Sequence, residues 1–232
     1  TGVYMNIKFL GATREVTGSC YLVQVNNKNI LLECGMLQGS YQHERHNRDP
    51  FPFDVADLDA VIVSHAHLDH TGRLPMLIKE GFHGCIYTHD ATVDLCEIML
   101  VDSGYIHEKE ARWENKKRER KGLALIEPLY TTAEADTTLQ YFKGLNYDDD
   151  IEICQGVKLT FRDAGHIIGS AIVELTLTEN SVSKKIVFSG DLGHKNAPIL
   201  RDPFKVKYAD LVIMESTYGD RLHRSWEDTW QE

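Results

Sequence analysis

The run His65-Ala66-His67-Leu68-Asp69-His70 directly follows the continuously apolar stretch Ala60-Val61-Ile62-Val63. Three imidazoles and a carboxylate in six positions after a β-branched apolar run are hard to explain by packing, because each desolvated polar side chain needs a partner. The apolar run reads as a central strand covered on both faces, with a short helix from Thr71 onward. The polar cluster therefore sits on a strand-to-helix loop, where a metal is the natural common partner.

Other segments repeat that design. Leu159-Thr160-Phe161 precedes a loop bearing His166, Ile186-Val187-Phe188 precedes Asp191, and Val212-Ile213-Met214 precedes Glu215. Side chains at strand ends of a layered α/β domain stand on rigid supports and can converge on one sheet edge. Imidazole and carboxylate without thiolate suit a catalytic zinc site that keeps positions open for water and substrate, although manganese and iron take the same donors. On a loop, residues two apart can point alike. His65 and His67 can then hold one ion, and Asp69 and His70, just before the helix, another. Asp191 can bridge the two, and His166 completes the set. The scattered His43, His46, His83, His89, His107, His194 and His223 read as structural or solvated.

The chain is strand-rich at both ends with a helical middle. Expected strands are 7–10, 20–25, 29–33, 60–64, 157–161, 171–176, 185–189 and 211–214, with Asn26-Asn27-Lys28 as a hairpin turn. Helical spacing runs from Asp90, a candidate N-cap, to about Asp102. The charge-dense segment from Glu108 to Lys121 reads as a solvated helix face with Glu108–Arg112 and Glu114–Arg118 pairs, an RNA-facing surface being the lesser reading. Thr131-x-x-Glu134 has the form of a capping box opening a helix through Leu139 and Phe142.

The five cysteines, Cys20, Cys34, Cys85, Cys96 and Cys154, form no C-x-x-C pair and read as small core residues rather than as disulfides or thiolate ligands. The net charge of −10 argues against broad electrostatic capture of nucleic acid, so a phosphate-bearing substrate needs a local cationic site, which bound metal ions supply. No apolar stretch reaches the roughly 20 residues of a membrane span, and no signal peptide is visible. A cytoplasmic protein is expected. Residues 1–4 read as a cloning remnant ahead of a start at Met5.

These motifs together resemble the metallo-β-lactamase fold, and more closely its β-CASP branch of RNA-processing nucleases, which includes the nuclease subunit of the cleavage and polyadenylation machinery. The resemblance rests on Phe9-Leu10-Gly11-Ala12 with Glu15 to Cys20, on Cys34 to Gly39 and on His65 to His70. It continues through Asp163 to Ala171, Ser189 to Gly193 and Glu215 to Arg221. The H-x-H-x-D-H run marks the superfamily alone. Gly-His-x-x-Gly-Ser and Glu-Ser-Thr-Tyr-Gly point to the branch.

The resemblance implies an α/β fold of αββα sandwich type, incomplete here because it lacks the C-terminal return segment. Residues 5–215 would be the N-terminal portion of the metallo-β-lactamase domain and 216–232 the beginning of a truncated β-CASP domain. It implies two zinc ions, one held by His65, His67, His166 and Asp191, the other by Asp69, His70 and the bridging Asp191. The reaction implied is RNA phosphodiester hydrolysis by a metal-bound hydroxide that Asp69 could orient. Glu215 would orient a histidine that protonates the leaving group.

Two departures stand out. Glu33 occupies a position near the metals where the branch usually has aspartate, which strains function rather than excluding it. The two later histidines that the branch supplies, the leaving-group one and a ligand of the second zinc, have no counterpart before Glu232, so the chain alone is expected to be weak or inactive. Rival readings are another hydrolase of the same fold acting on a thioester, a lactam or DNA, and an inactive scaffold subunit of an RNA-processing complex. RNA is the expected partner, and a homodimer is compatible with the sequence.

Overall fold

The computed structural model describes residues 5–222, so residues 1–4, His223 and most of the 216–232 segment lie outside it. The first sheet comprises β1 (Asn6–Phe9), β2 (Tyr21–Val25), β3 (Lys28–Leu32), β4 (Ala60–Ile62), β5 (Cys85–His89) and β6 (Phe142–Leu145), in that spatial order. The β1–β2 and β2–β3 pairs are antiparallel, and β3 through β6 run parallel. Asn26 and Asn27, at φ +49° and +57°, make the two-residue turn between β2 and β3 that suits the right-handed strand twist.

Between the strands lie the short helices α1 (Tyr41–Glu44), α2 (Leu68–Thr71) and α3 (Leu74–Lys79), the long α4 (Asp90–Arg120), and α5 (Thr132–Leu139). The second sheet follows: β7 (Asp150–Cys154), β8 (Val157–Asp163), β9 (Ala171–Glu179), β10 (Val182–Phe188) and β11 (Leu211–Ile213), ordered β11-β10-β9-β8-β7.

Period-two alternation decides which face meets what. Val23, Ile30, Leu32 and Ile62 of the first sheet pack on Leu159, Phe161, Val173, Leu175 and Phe188 of the second. The intervening Leu22, Leu31, Val61 and Ile86 turn to the helices, against Leu74, Leu77, Cys96 and Leu100. Ala60 to Val63 thus feeds two cores at once, as a continuously apolar central strand should. Among the described residues, the outer face of the second sheet carries no helix. Leu192, Val206 and Ala209 of the irregular segment after β10 cover Ala164, Ile172 and Val187 instead, so three of the four sandwich layers are regular structure.

Several local expectations are corrected. One helix of 31 residues replaces the two expected segments, because Gly104 is a close-packing position rather than a break: a Cβ there would lie 2.9 Å from the Thr131 carbonyl oxygen ahead of α5. Its N-cap is His89, whose Nδ1 accepts the Ala91 N–H; Asp90 is already helical. Glu108 does pair with Arg112, at 3.8 Å, but Glu114 pairs with Lys117, and Arg118 donates to the Ala124 carbonyl. The capping box forms as expected, yet α5 ends at Leu139 and Phe142 opens β6. Asp69 and His70 lie within α2 rather than before it. Cys20, Cys34 and Cys96 are buried and Cys154 half-buried, whereas Cys85, at the uncovered start of β5, is exposed.

Phe161, fully buried between the sheets, should cost about 3–5 kcal/mol when cut to alanine, read as a lowered urea midpoint with an unchanged slope.

Candidate metal centre

The backbone that precedes α2 is held by the strand end before it. After β3, Cys34 N–H donates to the His70 carbonyl and Met36 N–H to that of Leu68, at 2.9 and 2.8 Å, while Ser19 N–H takes that of Asp69 at 2.9 Å. The Leu68 carbonyl also accepts the Gly72 N–H within the helix, but those of Asp69 and His70 lie at the end of a single turn and take their partners from Ser19 and Cys34. The approach is close enough to require glycine: a Cβ on Gly35 would fall 1.7 Å from the Asp69 carbonyl oxygen. Gly193 plays the same part across the site, with a would-be Cβ 1.7 Å from the Gly165 carbonyl oxygen, pressing the Asp191 loop onto the His166 loop.

The His166 loop is fixed from three directions. Ser170 Oγ accepts the N–H groups of His166 and Ile167, Tyr147 donates its hydroxyl to the Ser170 carbonyl, and Thr92 at the start of α4 donates to the Gly169 carbonyl.

So placed, His65, His67 and His166 aim ring nitrogens at one point. His65 Nε2 lies 3.0 Å and His166 Nε2 3.2 Å from His67 Nδ1, and Asp191 Oδ2 is 3.6 Å from both Nε2 atoms. One proton on His67 can serve only one neighbour well, whereas a cation among them serves every lone pair. Tetrahedral zinc with Zn–N of about 2.0–2.1 Å sets its nitrogens about 3.3 Å apart, so this donor set fits such an ion. Asp191 then turns its other oxygen, Oδ1, to His70 Nε2 at 3.3 Å, with Asp69 Oδ2 3.6 Å from the same nitrogen. All six residues singled out in the sequence as candidate ligands are thereby brought together, in two groups that share Asp191.

Glu33 explains the tautomers. Fully buried at φ +64°, it receives the Ser64 N–H on Oε1 at 2.6 Å, and the Ser64 hydroxyl and His70 Nδ1 on Oε2 at 3.1 and 2.5 Å. Because the Ser64 hydroxyl is committed to Glu33, His65 Nδ1–H donates to Ser64 Oγ at 3.0 Å, and both His65 and His70 present a bare Nε2 to the site once a metal replaces any proton there. Glu33, grouped in space with His65 and His70, has its oxygens spent on this network. The left-handed backbone at Glu33 costs a non-glycine residue on the order of 1 kcal/mol or more, which this network of bonds offsets.

Burial, and then the other imidazoles, hold His65 well below the usual histidine range, and burial lowers His166 as well. For His70 burial works the same way, but the carboxylates of Glu33 and Asp191 outweigh it and push the group up to about 10. Burial disfavours charge on Asp191, yet the facing imidazoles, His70 first, keep its carboxyl below the usual range.

Glu215, at the end of β11, uses Oε1 to accept the Leu192 N–H at 2.6 Å, one residue past Asp191, and its own N–H donates to Ser189 Oγ. With His70 and Asp191 it lines a cavity of about 700 Å³ whose wall also carries Arg14 and Arg221. Among the remaining histidines, His43 pairs with Glu15, His46 with Asp49, and His107 is buried against Tyr130, which lowers it to about 4. None of these joins the centre. The residues that sequence reasoning passed over are Thr92 and Tyr147, which act through hydrogen bonds and carry no spacing signal; Ser64 and Ser170 lay within the segments it quoted, with no role assigned to either.

A profile of the metallo-β-lactamase superfamily matches residues 13–231. This chain belongs to that superfamily. It is 38% identical over 228 residues to Ribonuclease TTHA0252 of Thermus thermophilus, covering 98% of this chain and 47% of that protein. It is 32% identical over 218 residues to the transcription termination factor FttA of Methanocaldococcus jannaschii, covering 93% and 32%. It is 29% identical over 231 residues to the cleavage and polyadenylation specificity factor 73 of Drosophila melanogaster, covering 97% and 30%. The chain therefore spans less than half the length of each of these relatives. Membership of the superfamily and the convergent donor set together call for a metal cofactor.

Replacing Gly35 by alanine should force β3's extension away from α2. The expected result is a stability loss of about 2 kcal/mol or more in urea, accompanied by weaker metal uptake, since overpacking against backbone cannot relax by rotamer change.

Proposed function

We propose that this chain carries the metal-binding part of a two-zinc ribonuclease of the β-CASP branch, with His65, His67, His166 and Asp191 on the first ion and Asp69, His70 and Asp191 on the second. The observation that carries the reading is the split of the Asp191 carboxylate: one oxygen faces the His65–His67–His166 nitrogens and the other faces His70. Zinc in such a site supplies Lewis acidity, bringing the pKa of water toward about 7 and offsetting charge on a phosphodiester.

The chain's own residues do the rest. Ser64 and Glu33 fix the imidazole tautomers, Asp69 is placed to accept a proton from water, and Asp191 sets the separation of the two donor groups. Glu215 positions Asp191 by holding the Leu192 N–H, and the cavity that opens on His70 and Asp191 receives the RNA backbone, with Arg14 and Arg221 as cations on its wall. The similarity to Ribonuclease TTHA0252 and to the cleavage and polyadenylation specificity factor 73 supports RNA as the substrate. Residues 5–215 form the first part of the metallo-β-lactamase domain, and 216–232 lead into the next. Five free cysteines support a cytoplasmic setting. Among the described residues no helix is long and apolar enough to cross a membrane.

Elemental analysis should find between one and two zinc ions per chain in the wild type, the second site lacking the histidine that the resemblance implies, about one in Asp69→Ala, and fewer than one in His166→Ala. Zinc content unchanged from wild type in both variants overturns the ligand assignment.

Zinc-loaded chain should cleave single-stranded RNA weakly at most, and a version extended to the length of the relatives should do so faster by about 10²-fold or more, the usual contribution of a general acid that protonates the leaving group. Turnover of a thioester, a lactam or DNA without RNA cleavage overturns the substrate assignment, and a metal-free chain inert toward all of them points to a scaffold subunit.

A further inference from the structure

The helix α4 has one face that nothing in the fold explains. Thr92, Cys96, Leu100, Ser103, Gly104 and Ala111 are buried against the body of the protein. On the opposite side Asp94, Ile98, Asp102, Tyr105, Lys109 and Trp113 form an exposed stripe. Their spacing of 4, 4, 3, 4 and 4 residues keeps them on one side of an α-helix with little drift. Ile98 is 68% exposed, Trp113 63%, and Tyr105 and the adjacent Ile106 45% each, which is a large apolar outlay for a helix facing water.

Charge along the helix is sharply divided. From Asp90 to Ile106 there are four acidic residues and no lysine or arginine; from His107 to Lys121 seven lysines and arginines stand against four glutamates. Asp94 and Asp102 have no ion-pair or hydrogen-bond partner among the described residues.

We propose that this face is the site of a two-fold antiparallel association with a second copy of the chain. An axis passing between Tyr105 and Ile106 sets Ile98 against the second copy's Trp113, Asp102 against its Lys109, and Asp94 against its Lys117, and the symmetry repeats each pair. The apolar residues then lie at the centre and the acidic half of each helix lies along the basic half of the other. A self-complementary patch of this kind is what a closed two-fold dimer requires. The stretch from Asp94 to Lys117 is about 35 Å of helix at 1.5 Å per residue, enough for a reversible dimer near the lower end of specific interfaces, about 1,200 Å². Ion pairs at the rim fix direction and register more than strength.

The local chemistry disfavours nucleic acid as the occupant. The ammonium of Lys109 lies 4.3 Å from the centre of the Tyr105 ring, and that of Lys117 3.1 Å from the centre of the Trp113 ring, so both aromatic faces are already covered and do not offer stacking platforms for bases. The glutamates interspersed in the basic half also oppose phosphate.

The test is a charge exchange on the full chain, followed by sedimentation velocity over a concentration series. Wild type should pass from monomer to dimer. Asp94→Lys with Asp102→Lys, and separately Lys109→Glu with Lys117→Glu, should each weaken self-association at least about tenfold, because every pair becomes like-charged. An equimolar mixture of the two variants restores all of the opposite pairs and should dimerise as well as wild type. These are exposed positions remote from the metal centre, and circular dichroism and zinc content should match wild type in both. A wild type that stays monomeric at its highest soluble concentration overturns the proposal and leaves the face to another polypeptide. So does a dimer that ignores both variants, or a mixture that fails to recover.

Discussion

A buried carboxylate cannot be tolerated in a protein interior without close partners, and Glu33 has three. It stands at the end of β3, and its bonds to Ser64 and His70 tie that strand to the end of β4 and to α2. Two layers of order follow from it: the strand ends are aligned, and the imidazoles that sit on them are locked into one tautomer each. Removing one partner from such a network leaves an uncompensated charge, typically a loss of 3–5 kcal/mol, so the fold and the site are held by the same group.

The parts of this arrangement that could be read in the sequence were those with a period or a spacing. Ala60 to Val63 announced a central strand, and His65 to His70, His166 and Asp191 announced their shared destination, because each follows an apolar strand directly. The short strands Cys85–His89, Phe142–Leu145 and Asp150–Cys154 were not legible. Each is five residues or fewer; Cys85–His89 and Phe142–Leu145 owe their conformation to parallel pairing with strands distant in sequence, and Asp150–Cys154 is an edge strand held by pairing with β8. The continuity of the long helix through Gly104 was not legible for a related reason: glycine weakens a helix in isolation, and only the proximity of Thr131 makes the missing side chain useful. The left-handed backbone of Glu33 and its three hydrogen bonds were equally invisible in sequence, because they depend on Ser64 and His70.

The long helix joins two regions of different character. Its first turn braces the His166 loop through Thr92 and Gly169, its far half is tied to the body through Glu108, Ala111 and Asn115, and its outer side carries an exposed aromatic and charged face. The same 31 residues thus serve packing on one side and are free for recognition on the other. A helix of that length, with a net charge of opposite sign at each end, is also a strongly directional object, and any partner must meet it in one sense.

The donors at the centre come from both sheets, His65 to His70 from the first and His166 and Asp191 from the second. The set His65, His67, His166 and Asp191 is complete only when both sheets contribute. That four-residue grip is therefore a property of the closed sandwich and not of any one segment, and it comes into being only when the two sheets have met.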